Sequence, residues 1–295
     1  MPSVMHPVTV LFGPTASGKS AAALQLAQER PSVIINADAM QCYAALPVLT
    51  AQPTPAEQAE APHKLYGFVN PAENMVVPDW RTYALEAIED ALAEDKHPVL
   101  VGGTGFYLKA LMDGLSPIPD IPREVRMRAE QIWKTEGLER LAEEVRTAMS
   151  AEEFAHLDRQ NPHRVVRAWE VWKHTGRTLS DWQKTPPEDV PSHLQFNVRL
   201  ITRPREELIA RINQRFDAML EKNVLQEVAQ LGALIESGAV SPDNLIVKAH
   251  GFRALWAHVQ GRMSLEEAAE QAKIETRQYA KRQMTWARTQ FGSIS

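Results

Sequence analysis

Length, composition and charge are those of an ordinary globular protein. The 295 residues are 44% hydrophobic, include one cysteine and carry a formal net charge of −5, which suits one large domain or two. The lone Cys42 excludes an internal disulfide and fits a reducing compartment. Neither a membrane-spanning apolar stretch of roughly 18 residues nor a signal peptide is present, so we expect a cytoplasmic protein without a membrane partner.

The first predicted strand leads into a phosphate-binding loop. The apolar run Val8 to Phe12 is followed by Gly13-Pro14-Thr15-Ala16-Ser17-Gly18-Lys19-Ser20, which fits G-x-x-x-x-G-K-[ST] at every fixed position. Ser20 to Arg30 is predicted to be a helix that stops at Pro31. Backbone N–H groups, the helix N-terminus and Lys19 would bind phosphate oxygens, and the Ser20 hydroxyl would bind Mg²⁺. The chain is therefore predicted to bind a di- or triphosphate.

Short apolar runs then alternate with helical patterns, as in a parallel α/β sheet. Val33 to Ile35 is a second strand that closes on Asp38, and Leu65 to Val69 is a weaker strand candidate. Asp79 to Asp95 is predicted to be a helix capped by Asp79, with Trp80, Tyr83, Ala87 and Leu92 among its buried positions. Val99 to Val101 is a third strand that enters Gly102-Gly103-Thr104-Gly105 and a short helix.

Two proline clusters bracket a helical segment. Ser116 to Pro122 is too rich in proline for a helix or a central strand, Arg123 to Lys184 has helical patterns, and Pro186, Pro187 and Pro191 follow. The sheet resumes at Phe196 to Ile201. The remaining helices are Arg205–Lys222, Val224–Glu236 and a long last one that opens with Ser264 and Glu267 as a capping box. We predict a P-loop α/β core at 1–120 and 188–295 with a helical insertion at 121–187.

Several side chains are candidates for chemistry. Asp38 follows the second strand, at the ligand-binding edge of a parallel sheet, where it would be a general base, a Mg²⁺ ligand through water, or only a turn residue. Thr104 stands where many P-loop ATPases carry an acid, which disfavours an ATPase. Arg211 and Arg215 lie four apart on one predicted helix and would clamp phosphates or be solvated.

The charge distribution is compatible with binding of a polyanion even though the net charge is negative. His163, Arg164 and Arg167 flank an apolar set that is expected to be core, and the arginines would contact phosphates or form a solvated helix face. Neither N-K-x-D nor a D-x-x-G after a strand is present, which disfavours a GTPase. The D-D-x-x-D of chain-elongating prenyl synthases is also absent.

These segments in this order resemble the tRNA dimethylallyltransferase (tRNA isopentenyltransferase) family. The motifs that carry the resemblance span nearly the whole chain; they are the phosphate loop, Asn36 to Gln41, Pro62-His63, Val101 to Thr104, Gly114 to Pro117, His163 to Ala168, and Thr276 to Trp286. The resemblance implies transfer of a dimethylallyl group from its diphosphate to the exocyclic amine of the adenosine immediately 3′ of the anticodon. It implies tRNA and dimethylallyl diphosphate as partners, Mg²⁺ as cofactor, and no protein partner.

The same resemblance assigns the site residues. Asp38 would be the base, Thr104 would bind the acceptor, and Lys19 and Arg215 would stabilise the departing diphosphate on the loop, while the target nucleotide leaves its stack. The helical insertion would grip the anticodon stem-loop. The residues expected to contact tRNA are Asp38, Ala39, Met40, Gln41, Thr104, Arg126, His163, Arg164, Val165, Val166, Arg167, Lys248, Arg253, Lys281, Arg282 and Arg288.

Two departures and two alternatives accompany this prediction. The family commonly has Asp-Ser where this chain has Asp38-Ala39, and Gly-Thr-Ala-Lys-Pro where it has Leu49 to Pro53, with Gln52 in place of the lysine. A P-loop small-molecule kinase would share the loop, the core and the arginine clamp, with the insertion as a lid. A nucleotide-regulated RNA-binding protein without catalysis is the third possibility, although Asp38 at the ligand edge speaks against it.

Overall fold

The computed structural model describes residues 5–291 and divides the chain into two compact units. One comprises Met1–Met112 with Pro191–Ser295, and the other is Asp113–Val190. Both boundaries lie further out than the predicted 121–187. The reason is that the two proline-containing segments pair within the second unit, where Leu115 and Glu188 form an antiparallel bridge and the Glu188 N–H donates to the Leu115 carbonyl at 3.3 Å.

The first unit contains a five-stranded parallel sheet of order β3-β2-β4-β1-β5. The strands are β1 (His6–Phe12), β2 (Ser32–Asn36), β3 (His63–Lys64), β4 (His97–Gly102) and β5 (Leu194–Leu200). In the register, Phe12 lies opposite both Gly102 and Leu200. The carboxyl ends of β1, β4 and β5 therefore meet at one edge, and β2, which pairs with β4 from Ser32 to Asn36, ends there as well.

Both units contain α-helices. In chain order they are α1 (Lys19–Glu29), α2 (Pro55–Glu60), α3 (Val77–Ala93), α4 (Gly105–Asp113), α5 (Arg123–Glu136), α6 (Leu138–Arg146), α7 (Ala151–His156), α8 (Pro162–Thr175), α9 (Leu179–Gln183), α10 (Arg205–Leu220), α11 (Val224–Glu236), α12 (Phe252–Val259) and α13 (Leu265–Phe291). Short 3₁₀ turns lie at Met40–Cys42 and Leu245–Lys248.

Each unit has its own core. In the first unit, strands β1, β2 and β4 are buried on both faces, and Trp80 of α3 stacks on Tyr107 of α4 with ring centroids 4.4 Å apart. In the second unit, α5, α6 and α8 bury a cluster that includes Leu141, Val165 and Trp169. The Trp169 indole N–H donates to the Glu144 carboxylate at 2.8 Å. Apolar burial of this kind is the main driving force that stabilises both units.

Most predicted elements are confirmed, but one strand, one helix cap and two burial assignments differ from the prediction. Residues Leu65 to Val69 do not form a strand, because Leu65 and Gly67 adopt positive φ values of 65° and 57°, which bend the chain out of an extended path. Helix α3 begins at Val77 rather than at a cap formed by Asp79, which lies in its first turn. Its Tyr83 is exposed rather than buried, and Leu92 is only partly buried.

The capping box at the start of α13 is confirmed, with reciprocal hydrogen bonds between Ser264 and Glu267. Among residues 5–291, no helix has both the length and the apolar character that a membrane crossing needs.

Candidate active site

The phosphate loop joins β1 to α1 at the carboxyl edge of the sheet. Gly18 adopts a φ of 101° as the N-cap of α1, a conformation that strongly favours glycine. The Lys19 ammonium donates to the carbonyls of Gly13 and Pro14 at 2.9 and 2.8 Å, so one of its three N–H donors is still available to a ligand. The Ser17 hydroxyl is fully buried and has no hydrogen-bond partner in the described chain. The loop thus holds donors that an anion would satisfy.

Three arginines bind the outside of this loop. Arg203 and Arg211 donate from Nε to the carbonyls of Ser17 at 3.2 Å and Ala16 at 2.9 Å. Arg215 donates from Nη2 to the Thr15 hydroxyl at 2.6 Å. The sequence predicted the two arginines of α10, whereas Arg203, in the loop before that helix, was missed because a single arginine after a strand carries no pattern.

Asp38 lies two residues beyond β2, where the side chain of Asn36 fixes the turn. The Asn36 side-chain oxygen Oδ1 accepts from the Asp38 N–H at 2.8 Å, and the side-chain nitrogen Nδ2 donates to the Leu65 carbonyl at 2.9 Å. The Met40 N–H donates to the Asp38 carboxylate at 3.0 Å. Burial raises the pKa of Asp38, while the positive charge of Lys19 opposes that rise. The carboxyl is therefore more basic than a solvated aspartate.

Thr104 faces Asp38 from the end of the neighbouring strand β4. Its hydroxyl accepts from the Ala39 N–H at 2.9 Å, and its own N–H donates to the Ala37 carbonyl at 3.2 Å. The Tyr279 side chain lies near that of Thr104. The two hydrogen bonds hold the loops after β2 and β4 together and place a neutral hydroxyl beside the carboxylate. Ala39 contributes its backbone, since its side chain is buried.

A pocket opens beside Asp38 and the Thr15 side of the phosphate loop. Its polar side includes Asp38, Arg215 and the rings of His250 and Tyr279, which are tilted by 43° with their centroids 4.5 Å apart. Apolar side chains form the rest of the wall, namely Met40, Leu49, Ile212, Phe216, Met219 and Ala249. A charged end and an apolar wall suit an amphiphilic ligand with a phosphate head. The sequence identified neither His250 nor Tyr279 as a pocket residue.

Burial and nearby charges shift the pKa values of Lys19 and His250. Burial and the nearby Arg215 lower the pKa of Lys19 to about 8, although Asp38 opposes the shift. Burial, aided by Arg282, also lowers the pKa of His250, which keeps that ring neutral near pH 7. A bound polyanion would raise the pKa of Lys19 and favour its charged form. Lys19 would therefore be fully protonated when the ligand is bound.

The segment after Met40 is held by side-chain amides. Gln41 donates to the carbonyls of Thr50 and Ala51 at 2.8 and 3.2 Å, and Gln52 donates to the Tyr43 carbonyl at 2.8 Å. Gln52, which replaces the lysine of the family pattern, therefore fixes the loop. The amide donors of Gln41, which was expected to contact tRNA, are occupied by the backbone.

The basic residues that were predicted to contact tRNA fall in both units. In the first unit, Lys248, Arg253, Lys281, Arg282 and Arg288 have exposed side chains. In the second unit, Arg126 lies on α5, and His163, Arg164 and Arg167 lie on α8; the first three are exposed and Arg167 is partly so. Arg164 and Arg167 form only long ion pairs, at 3.8 Å to Asp158 and 3.6 Å to Glu170.

One prediction in this group needs correction. Val165 was expected to contact tRNA, but its side chain is fully buried in the core of the second unit. Its neighbour Val166 is partly buried and packs against the same core. In a helix, positions 164 and 167 share a face that 165 does not, so Val165 positions the arginines rather than reaching a ligand.

Comparisons with known proteins decide the family. The model described as IPP transferase matches residues 41–290, and the one described as isopentenyl transferase matches residues 6–70. The chain belongs to the IPP transferase family. It is 42% identical over 288 residues to a tRNA dimethylallyltransferase of Rhodospirillum centenum, covering 98% of this chain and 90% of the relative. A tRNA dimethylallyltransferase of Bartonella tribocorum is 43% identical over 293 residues, with 97% of each chain covered.

Solved structures of IPP transferase relatives share the fold. A eukaryotic dimethylallyltransferase acting on tRNA superposes with a TM-score of 0.83 at 27% identity, over 96% of this chain and 70% of that one. The tRNA isopentenylpyrophosphate transferase of Bacillus halodurans gives a TM-score of 0.66 at 28% identity, over 97% and 88% of the two chains. Together with the parallel sheet, these matches confirm the predicted P-loop α/β fold.

Proposed function

We propose that this protein transfers a dimethylallyl group from dimethylallyl diphosphate to the N6 amine of the adenosine immediately 3′ of the anticodon in certain tRNAs. The curated relatives are named for dimethylallyl transfer to tRNA, which favours this function over a small-molecule kinase. The observation that carries the proposal is that Asp38 and Arg215 line the same pocket as a set of apolar side chains. That combination suits an allylic diphosphate better than a nucleotide.

The phosphate loop would bind the diphosphate leaving group. Lys19 has one N–H donor left after its two bonds to the loop, and the buried Ser17 hydroxyl lacks a partner. Arg215, which already bonds Thr15, adds a second positive charge. As the bond from carbon to the diphosphate oxygen breaks, negative charge grows on that oxygen, and fixed cations in a low-dielectric site stabilise it.

The residues at the loop fit a magnesium ion. The Ser20 hydroxyl is exposed in the first turn of α1, and Mg²⁺ typically takes one or two protein oxygens with phosphate oxygens and water. Among residues 5–291, no group of three His, Cys, Asp or Glu side chains converges as a metal site, as expected for an ion held mainly by its substrate. When bound, Mg²⁺ would supply Lewis-acid stabilisation of the leaving diphosphate.

Asp38 and Thr104 would activate the acceptor. The exocyclic amine of adenine is a poor nucleophile because its lone pair is delocalised. A new bond from N6 to the allylic carbon forms as the carbon–oxygen bond breaks, and the N6 proton passes to the Asp38 carboxylate. The raised pKa of Asp38 makes it a better proton acceptor. Thr104 would orient the base, which must leave its stack to reach the pocket.

Exposed basic residues would guide the tRNA. Arg164 of α8 and Lys281, Arg282 and Arg288 of α13 are exposed, and Arg167 is partly exposed, as contacts to a phosphate backbone require. The second unit, with Arg126, Arg164 and Arg167, would bind the anticodon stem-loop. A tRNA substrate and a single buried cysteine support a cytoplasmic location.

One assay separates the three candidate functions. The protein is incubated with labelled dimethylallyl diphosphate, Mg²⁺ and bulk tRNA, and in parallel with labelled ATP and small-molecule acceptors. Label in tRNA from the first mixture supports prenyl transfer. Label in a small molecule from the second supports a kinase, and tRNA binding without label in either supports a non-catalytic RNA-binding protein.

A further inference from the structure

One buried side chain bridges two loops of the site. Gln283 of α13 is only 4% exposed. Its carbonyl oxygen accepts from the Thr15 N–H of the phosphate loop at 2.9 Å. Its amide nitrogen donates to the Gly103 carbonyl, in the loop after β4, at 3.0 Å. Both functions of one planar amide are therefore used, one on each loop.

The residues around Gln283 leave the space that this bridge needs. A Cβ placed on Gly103 would lie 1.9 Å from the Gln283 amide nitrogen, so the close approach requires glycine at that position. Tyr279, one turn earlier on α13, lies near both Gln283 and Thr104. Gln283 thus bonds directly to the backbone of the residue before Thr104.

The two bridged loops hold opposite halves of the proposed reaction. Thr15 accepts the hydrogen bond from Arg215, on the side of the leaving diphosphate. Thr104 accepts from the N–H of Ala39, next to Asp38, on the side of the acceptor amine. Transfer is fast only when the reacting atoms are held roughly 3–3.5 Å apart in the right orientation, and a misplacement of about 1 Å can cost about 10²-fold. The spacing of these loops therefore matters.

We propose that Gln283 is a positioning residue whose amide sets the spacing between the phosphate loop and the Asp38–Thr104 pair. This inference rests on the proposed prenyl transfer. An amide suits the task because it offers one donor and one acceptor without charge. A carboxylate would place an acceptor against the Gly103 carbonyl, and an apolar side chain would leave two buried backbone groups unpaired.

The test compares Gln283→Met and Gln283→Glu with the wild type. Gln278→Glu is the matched control, since Gln278 is exposed on the same helix and the control adds the same charge. Single-turnover transfer is measured at saturating dimethylallyl diphosphate and tRNA, below the melting temperature of every variant. We expect Gln283→Met to slow transfer by about 10²-fold, the cost of a displacement near 1 Å. The control keeps the wild-type rate.

The pH dependence of Gln283→Glu gives a readout that a merely structural role does not. A protonated carboxyl has one donor and one acceptor, like the amide, whereas the ionised form has acceptors only. We therefore expect the rate of Gln283→Glu, divided by that of Gln278→Glu, to rise as pH falls. The Kd for inorganic diphosphate with Mg²⁺ should change much less than the rate, because that ligand occupies only the leaving-group side of the site.

Several outcomes would overturn the inference. These are a wild-type rate in Gln283→Met, a rate ratio that does not vary with pH, or a loss of diphosphate affinity as large as the loss of rate. The last would mean that Gln283 only supports the phosphate loop. Failure of the proposed function is distinguishable, since the wild type itself would then transfer no dimethylallyl group.

Discussion

Arg215 donates a hydrogen bond of 2.6 Å to the Thr15 hydroxyl, so helix α10 is bound directly to a phosphate loop that lies 200 positions earlier in the chain. The contact places a guanidinium beside the pocket before any ligand is bound. A cation that is already in position stabilises a leaving diphosphate without reorganisation.

Replacing Arg215 with lysine keeps the charge but loses the planar fork that can hold Thr15 and a phosphate oxygen together. We expect Arg215→Lys and Arg215→Ala to reduce single-turnover transfer, by about 10²-fold or more for alanine. Arg205→Ala, at the exposed start of the same helix, is the control. Equal rates in Arg215→Lys and the wild type would show that charge alone suffices.

Asp38→Ala should slow the chemical step by roughly 10²- to 10⁴-fold, the usual contribution of a general base. Binding of tRNA should change little, because backbone phosphates dominate such an interface. Rates come from single turnovers at saturation, and binding comes from titration of the unmodified tRNA. A preserved rate with weakened tRNA binding would make Asp38 a binding residue and leave the base unidentified.

The pH profile of kcat/KM for dimethylallyl diphosphate should be bell-shaped. On the acid side, activity falls as Asp38 is protonated, and because burial raises its pKa, the fall begins above the usual range of a carboxyl. On the alkaline side, activity falls as Lys19 loses its proton, with a pKa of about 8 in the free enzyme. Since kcat/KM reports the free enzyme, a flat profile through pH 8 would contradict the assignment of Lys19.

Arg164→Ala combined with Arg167→Ala should weaken tRNA binding and flatten its salt dependence. Each lost phosphate contact lowers the slope of log K against log salt by about 0.9 for a duplex and about 0.7 for a single strand. The measurement is the Kd for tRNA over a salt series, with Arg140→Ala on α6 as a control whose partners are Glu136 and Glu144. If the slope stays that of the wild type, α8 does not contact the RNA.

The phosphate loop and the strands around it could be predicted because their signals are local. An apolar run, a glycine-rich turn and a helix follow one another within about 25 residues of sequence, and each has its own periodicity or spacing. The capping box of α13 and the pairing of Arg211 with Arg215 on one helix are equally local. The predicted strand from Leu65 to Val69 was wrong because two residues with positive φ angles bend the chain, and an apolar pattern of only five residues does not reveal them.

The rest of the site comes from packing between distant segments. Because α13 packs beside the phosphate loop, Gln283 bonds that loop and Tyr279 lines the pocket. His250 reaches the pocket from the turn before α12. Nothing in the residues next to Gln283 shows that its amide will meet Thr15 and Gly103. The resemblance to a known family marked the segment from Thr276 to Trp286, although it did not distinguish its buried members from its exposed ones.

The central claim is that the phosphate loop holds an allylic diphosphate whose prenyl group is transferred to tRNA. The most direct test is to incubate wild-type protein and Lys19→Ala with dimethylallyl diphosphate, Mg²⁺ and unmodified tRNA, then digest the tRNA and identify its nucleosides by mass spectrometry. The wild type should yield dimethylallyl-adenosine from the position 3′ of the anticodon. Lys19→Ala should lose about 2–4 kcal/mol of transition-state stabilisation and yield almost none. Unmodified adenosine from the wild type, or equal product from both proteins, would contradict the claim.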